Sequence, residues 1–168
     1  MEKYIQPFVD VCINVFKELI RCDIIAGRPF FIHKHDALHQ DTPADWDISG
    51  VIGLTGEAQG AVVLSMKKDL ALKLTDMLTG SEHTDMDDDV IDAIGELINI
   101  IAGNVKREFE STFRLVISLP TIITGKGHTI QWSGDLARIL CIPFNLHEGN
   151  VFCLLVALAA ATPPVSIG

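Results

Sequence analysis

Basic residues are scarce in this chain: 13 Lys and Arg stand against 22 Asp and Glu, a formal charge of -9. So acidic a surface repels phosphate backbones and anionic lipid, which argues against nucleic-acid binding and membrane-surface adhesion. Cysteine is also sparse, with Cys12, Cys22, Cys141 and Cys153 forming no C-x-x-C pair. Most of the four sit in apolar runs, where the thiol acts as a small hydrophobe, and a reducing cytoplasm is the expected setting. Long hydrophobic runs are missing. The longest, Val151 to Ala161, is too short to span a bilayer, and no basic segment followed by an apolar one suggests a leader.

What is present is a core. With 48% hydrophobic and 21% charged residues over 168 positions, the composition is that of one folded domain. A chain of this size buries about 70% of its unfolded surface. Apolar residues from Ile5 to Ile20 recur at helical spacing, and so do those of Lys67 to Leu78 and of about Met86 to Ser111. Thr84 or Asp85 is positioned to cap the third of these helices. Strands are expected at Arg28 to His33, Ile48 to Leu54, Ala61 to Met66, Leu115 to Ile123, Thr129 to Trp132, Leu136 to Ile142 and Val151 to Leu158. Residues Gly56 to Gly60 read as a hairpin loop, and Gly125-Lys126-Gly127 as a turn.

The two halves resemble each other. Gly60 to Leu64 parallels Gly149 to Leu154, and Asn14 parallels Asn99. The class is α+β, with long helices packed on antiparallel sheet and an internal pseudo-repeat of helix plus hairpin. The domain is expected to occupy residues 1–158, with 159–168 a flexible tail.

On a helical wheel of the third helix, Val90, Ile94, Leu97, Ile98, Ile101, Val105 and Phe109 share one face. Asp92, Glu96, Asn99 and Gly103 share the opposite one. Glu96 and Asn99, three apart, are neighbours there. Asn99 is a poor helix former in a helix interior, and Gly95 and Gly103 each cost about 1 kcal/mol relative to Ala. Such choices read either as an incidental solvated face or as one shaped for another surface.

The run Glu96-Leu97-Ile98-Asn99-Ile100-Ile101-Ala102-Gly103-Asn104-Val105-Lys106 resembles the signature helix of the CheC/CheX/FliY family of chemotaxis phosphatases. Asp92, four before the glutamate, also fits that family's pattern, and Leu119 to His128 is similar to the strand after the helix in its CheX members. The interval from Asn99 to Pro120 is slightly shorter than the family's usual one. The resemblance implies a CheC-like fold, and a phosphatase acting on the aspartyl phosphate of a CheY-type response regulator. It also implies a homodimer. Asn99 is then expected to orient the attacking water, and Glu96 to pair with the receiver's lysine. Asp92, Gly95, Ile100 and Gly103 are expected to meet the partner. No cofactor of the chain's own is implied, since the receiver carries the Mg²⁺. CheC members have two such helices and CheX members one. Here Val11 stands three before Asn14, where a glutamate would be required, so no site is carried onto the first helix.

Other groupings are weaker. His33, His35 and His39 with Asp41 offer metal-ligand types without a matching cluster elsewhere. Asp85 to Asp89 places Val90 where a calcium loop requires glycine, so helix-dipole complementarity is the better reading. Gly125 to Gly127 lacks the spacing of a phosphate-binding loop. Two rival functions stay open: a non-catalytic module that binds a receiver or flagellar-switch component, and a structural dimerisation domain with a relict site.

Overall fold

In the computed structural model, residues 4–33, 45–132 and 138–160 are described. Helix α1 (Ile5–Val15) continues into a π-helical turn (Phe16–Ile20) that ends on Arg21 in the left-handed conformation. Strands β1 (Ile25–Ala26), β2 (Phe30–His33), β3 (Trp46–Gly56) and β4 (Ala58–Met66) follow, then α2 (Lys68–Thr79) and α3 (Asp88–Phe109). Strands β5 (Leu115–Ile117), β6 (Thr121–His128), β7 (Arg138–Asn145) and β8 (Val151–Ala160) complete one antiparallel sheet. Its order is β1-β7-β8-β4-β3-β5, with β2 also on β7 and β6 also on β3. The two hairpins, β3–β4 and β7–β8, meet along β4 and β8, with Val62 opposite Val156.

The central strands are buried on both faces, which explains their near-continuous apolar sequences. Ile48, Ile52, Val62, Leu64, Met66, Phe152, Leu154 and Val156 turn toward the helices. Val63, Cys141, Cys153, Leu155 and Ala157 fill a smaller cluster on the other face, against Phe30, Ile32, Ile130 and Trp132. Burial of each large side chain contributes about 1.5–3 kcal/mol. Aromatic stacking adds order: Phe16 stacks on Phe152, which stacks on Phe144, with centroids 4.8 and 5.0 Å apart.

Several local expectations are corrected by tertiary contacts. Helix α3 is capped by Asp87, not Thr84 or Asp85; its Oδ1 accepts from Val90 N at 3.1 Å. The expected strand Leu115 to Ile123 is broken. Ser118 Oγ accepts from Gly53 N at 2.9 Å, and Pro120, which cannot donate to a ladder, starts a new strand after it. Gly125-Lys126-Gly127 is no turn but lies inside β6. There Ile48 pairs with Thr124 and Trp46 with His128, so one residue of β3 spans three of β6. The bulge uses positive φ at Gly125 and Gly127. Thr129 to Trp132 forms no strand. Strand β8 runs to Ala160, two residues beyond the expected domain end, and residues 161–168 lie outside the described ones.

The bulge delivers His128 to Ser49, a grouping absent from any linear pattern. His128 Nδ1 lies 2.8 Å from the Gly125 carbonyl, which can only accept, so Nδ1 carries the proton in the neutral ring. Nε2 then accepts from Ser49 Oγ at 2.8 Å, and Ser49 in turn accepts from Ser65 Oγ at 2.7 Å. Both serines are fully buried, so they satisfy each other inside the sheet and are out of reach as nucleophiles. Removing Ser49 Oγ strands the buried Ser65 hydroxyl and the half-buried His128 Nε2. Ser49→Ala is expected to cost about 1–3 kcal/mol in urea unfolding. Gly60→Ala should be at least as damaging, about 3 kcal/mol, because its Cβ would stand 1.8 Å from the Ala157 carbonyl oxygen. An unchanged midpoint for Gly60→Ala would contradict the tight β4–β8 approach.

Candidate functional site on helix α3

Helix α3 is a 22-residue helix whose charges follow its dipole, with Asp88 and Asp89 in the first turn and Lys106 and Arg107 in the last. Val90, Ile94, Leu97, Ile98, Ile101, Val105 and Phe109 are all buried, as the wheel requires. The fit of this stripe onto the sheet depends on a missing side chain. A Cβ at Gly50 on β3 would lie 2.9 Å from Ile98 Cγ2, so the helix rests directly on the strand backbone. At the other end, Phe109 packs with Tyr4, Phe8 and Phe113.

With the stripe fixed, the opposite face is set. Asp92 and Glu96 are exposed, and Asn99 and Gly103 are half-buried, so the four form one line along the helix. Asp92 and Glu96 stand four apart with like charge, an arrangement that costs an isolated helix about 0.2–0.5 kcal/mol. Among the described residues, neither carboxylate has a cationic partner, and Asn99 has no hydrogen-bond partner. The contrast with the helix's other asparagine is informative. Asn104 Nδ2 donates to the Ile100 carbonyl at 2.9 Å, and its Oδ1 accepts from Arg107. One amide is spent on the helix itself; the other is free.

The remaining site candidates divide. Gly103 has nothing within 4 Å of where a Cβ would stand, so it leaves a bare patch next to Asn99. Gly95 is buried, and its Cβ position faces Ile122 at 3.6 Å and Pro120 at 3.9 Å. The surface it admits is the chain's own, the start of β6. This contact brings Pro120 beside the helix one residue before Glu96. Ile100 is partly buried against the main core. On α1, Asn14 is exposed, whereas Val11 is buried, so the first helix presents no equivalent pair.

Among the described residues, the cysteines add no reactive centre. Burial pushes the Cys12 thiol well up, and the Cys141 thiol is raised by its hydrogen bond with Cys153 and by burial, so both stay protonated packing groups. His35, His39 and Asp41, and the side chain of His33, lie outside the described residues. Among the described residues, no helix is long and apolar enough to cross a membrane.

A helix-on-sheet α+β protein that displays a free carboxylate and a free amide on one exposed helix face is the class defined here. The family model for chemotaxis phosphatase CheX matches residues 48–145, more than half of the chain, and the chain belongs to that family. It is 33% identical over 133 residues to the CheY-P phosphatase CheX of Thermotoga maritima, covering 78% of this chain and 84% of that one. The crystal structure of the chemotaxis protein CheX from Vibrio vulnificus superposes with a TM-score of 0.80 at 25% identity, over 94% of this chain and 99% of that one. The CheX–CheY–BeF3–Mg complex from Borrelia burgdorferi gives 0.75 at 26% identity, over 92% and 97%. The expected CheC-like architecture is therefore the observed one.

Because Gly103 is helical and its Cβ position is open, Gly103→Ala is expected to raise stability by about 0.4–1 kcal/mol. A destabilised variant in thermal unfolding would show that the patch beside Asn99 is occupied within the fold.

Proposed function

We propose that this chain hydrolyses the aspartyl phosphate of a CheY-type response regulator, with Asn99 orienting the water and Glu96 seating the receiver's lysine. The observation that carries this reading is the free amide of Asn99 beside the self-satisfied Asn104. A relative's name, CheY-P phosphatase, and the occurrence of CheY and Mg²⁺ in a related complex support it.

An acyl phosphate is already activated, and Mg²⁺ carried by the receiver offsets charge on the phosphoryl oxygens. Attack by water forms a new P–O bond as the bond to the aspartate oxygen breaks. The products are the free carboxylate, inorganic phosphate and a proton released to solvent. What this helix supplies is geometry. A neutral amide both donates and accepts, so it can hold a water in line without ionising. Glu96 and Asp92 repel each other until a cation arrives, and the receiver's lysine supplies one. Gly103 leaves room for the receiver's surface, and Ile100 flanks it. The chain needs no metal for this reaction. By the same family reading it acts as a homodimer in the cytoplasm.

Asn99→Ala is expected to reduce the accelerated release of phosphate from a phosphorylated receiver by about 100-fold or more, with the melting temperature unchanged. Glu96→Ala should chiefly raise the receiver concentration needed for half-maximal rate. Release that is equal with and without wild-type protein would sink the enzyme reading. Receiver binding without acceleration would instead support the non-catalytic module.

A further inference from the structure

The connection between α2 and α3 holds an arrangement that the phosphatase reading does not use. His83 is the centre of it. Its side chain is only 6% exposed, although the loop around it faces solvent. A single oxygen of Asp76, near the end of α2, takes two bonds from this residue. Asp76 Oδ1 accepts from the His83 backbone N–H at 2.8 Å and meets ring Nδ1 at 2.9 Å. A carboxylate can only accept here, so Nδ1 carries the proton. In the neutral ring the free lone pair is therefore on Nε2.

That lone pair is aimed at carboxylates. Nε2 lies 3.7 Å from Asp89 Oδ2, too far for a hydrogen bond, and one ligand atom each from His83, Asp87 and Asp89 lie within 4.8 Å of one another. Asp87 uses Oδ1 to cap α3 through Val90 N, which leaves its other oxygen available. The nearby Asp85 is paired with Lys68 at 3.1 Å and takes no part. An acceptor nitrogen facing two anions is electrostatically unfavourable unless a proton or a metal ion stands between them.

We propose that His83, Asp87 and Asp89 bind a divalent transition-metal ion of the zinc class, with Asp76 as the residue that orients the imidazole. One imidazole and two carboxylates, with a water as fourth ligand, suit Zn²⁺ better than Ca²⁺, which takes six to eight oxygens. Ligand distances of about 2.0–2.2 Å place tetrahedral ligand atoms about 3.4 Å apart, so small rotations of the exposed carboxylates close the set. A carboxylate on the far nitrogen of a ligating histidine fixes its tautomer and raises its basicity. The competing occupant of Nε2 is a proton. Metal binding displaces that proton, so affinity rises with pH. The site joins three segments: Asp76 on α2, His83 on the connection, and the start of α3, with Asp87 at its N-cap and Asp89 in its first turn. A bound ion clamps the end of α2 to the start of the helix that carries Glu96 and Asn99.

The test uses the full chain, stripped with EDTA and titrated with ZnCl2 by calorimetry at mildly alkaline pH. Binding of one Zn²⁺ per chain is expected, with a rise in melting temperature and visible absorption when Co²⁺ is used instead. His83→Gln and Asp89→Asn should each abolish the Co²⁺ band and the thermal shift. Asp76→Asn should weaken affinity by about 10–100-fold. Circular dichroism of the metal-free variants checks that each is folded, and Asp89→Asn, at an exposed position, keeps the test valid if His83→Gln does not fold. No heat and no Co²⁺ band at millimolar metal would overturn the proposal. Binding unchanged in folded His83→Gln or in Asp89→Asn would overturn it equally, by placing the metal elsewhere. Neither result depends on phosphatase activity.

Discussion

The seating of α3 on the sheet is the contact on which the site depends. Gly50 lets Ile98 touch the backbone of β3, and Pro120 and Ile122 pack beside Gly95 from the side of β6. These two approaches fix both the height of the helix and its rotation. Because Ile94, Leu97, Ile98 and Ile101 are fully buried, rotation by even one position would drive Glu96 toward the core. The core thus determines where the free amide points. A residue need not touch the site to set its geometry.

Electrostatics then explains why the free face is not a generic solvated one. An acidic chain has every reason to alternate charge along an exposed helix, since oppositely charged neighbours stabilise it and like charges do the reverse. Helix α3 obeys that logic at its ends, where acidic and basic residues complement the dipole. In its middle it does not. Asp92 and Glu96 lie in line without a cation among the described residues, and the next position in that line is a neutral amide with no partner. On the proposed function, an external partner completes the arrangement.

Much of this was legible in the chain, and the limits have physical reasons. Periodicity located α2 and α3 to within about two residues, because a stripe of fully buried side chains leaves a strong 3.6-residue signal. The wheel also separated the core stripe from the Asp92, Glu96, Asn99 and Gly103 line. What periodicity did not show depends on contacts distant in sequence. Gly125 to Gly127 looks like a turn locally, but β3 pairs on either side of it and turns it into a bulge. Gly95 looked like surface relief, but Pro120, twenty-five positions on, covers it. His83 carried no signal at all, since the Asp76 that orients it sits on the preceding helix.

The pseudo-repeat sharpens the same point. Asn14 and Asn99 stand in similar apolar runs, Cys12 to Val15 and Leu97 to Ile100. Their surroundings differ. At three residues before Asn14 stands Val11, which is buried in the core, whereas Glu96 is exposed. Thus α1 is seated with a different rotation relative to its asparagine, and a glutamate placed at position 11 would be desolvated in apolar packing. Restoring the motif's letters on α1 would therefore not restore the pair. Among the described residues, α1 lacks the exposed pair that α3 presents, and the reason is packing.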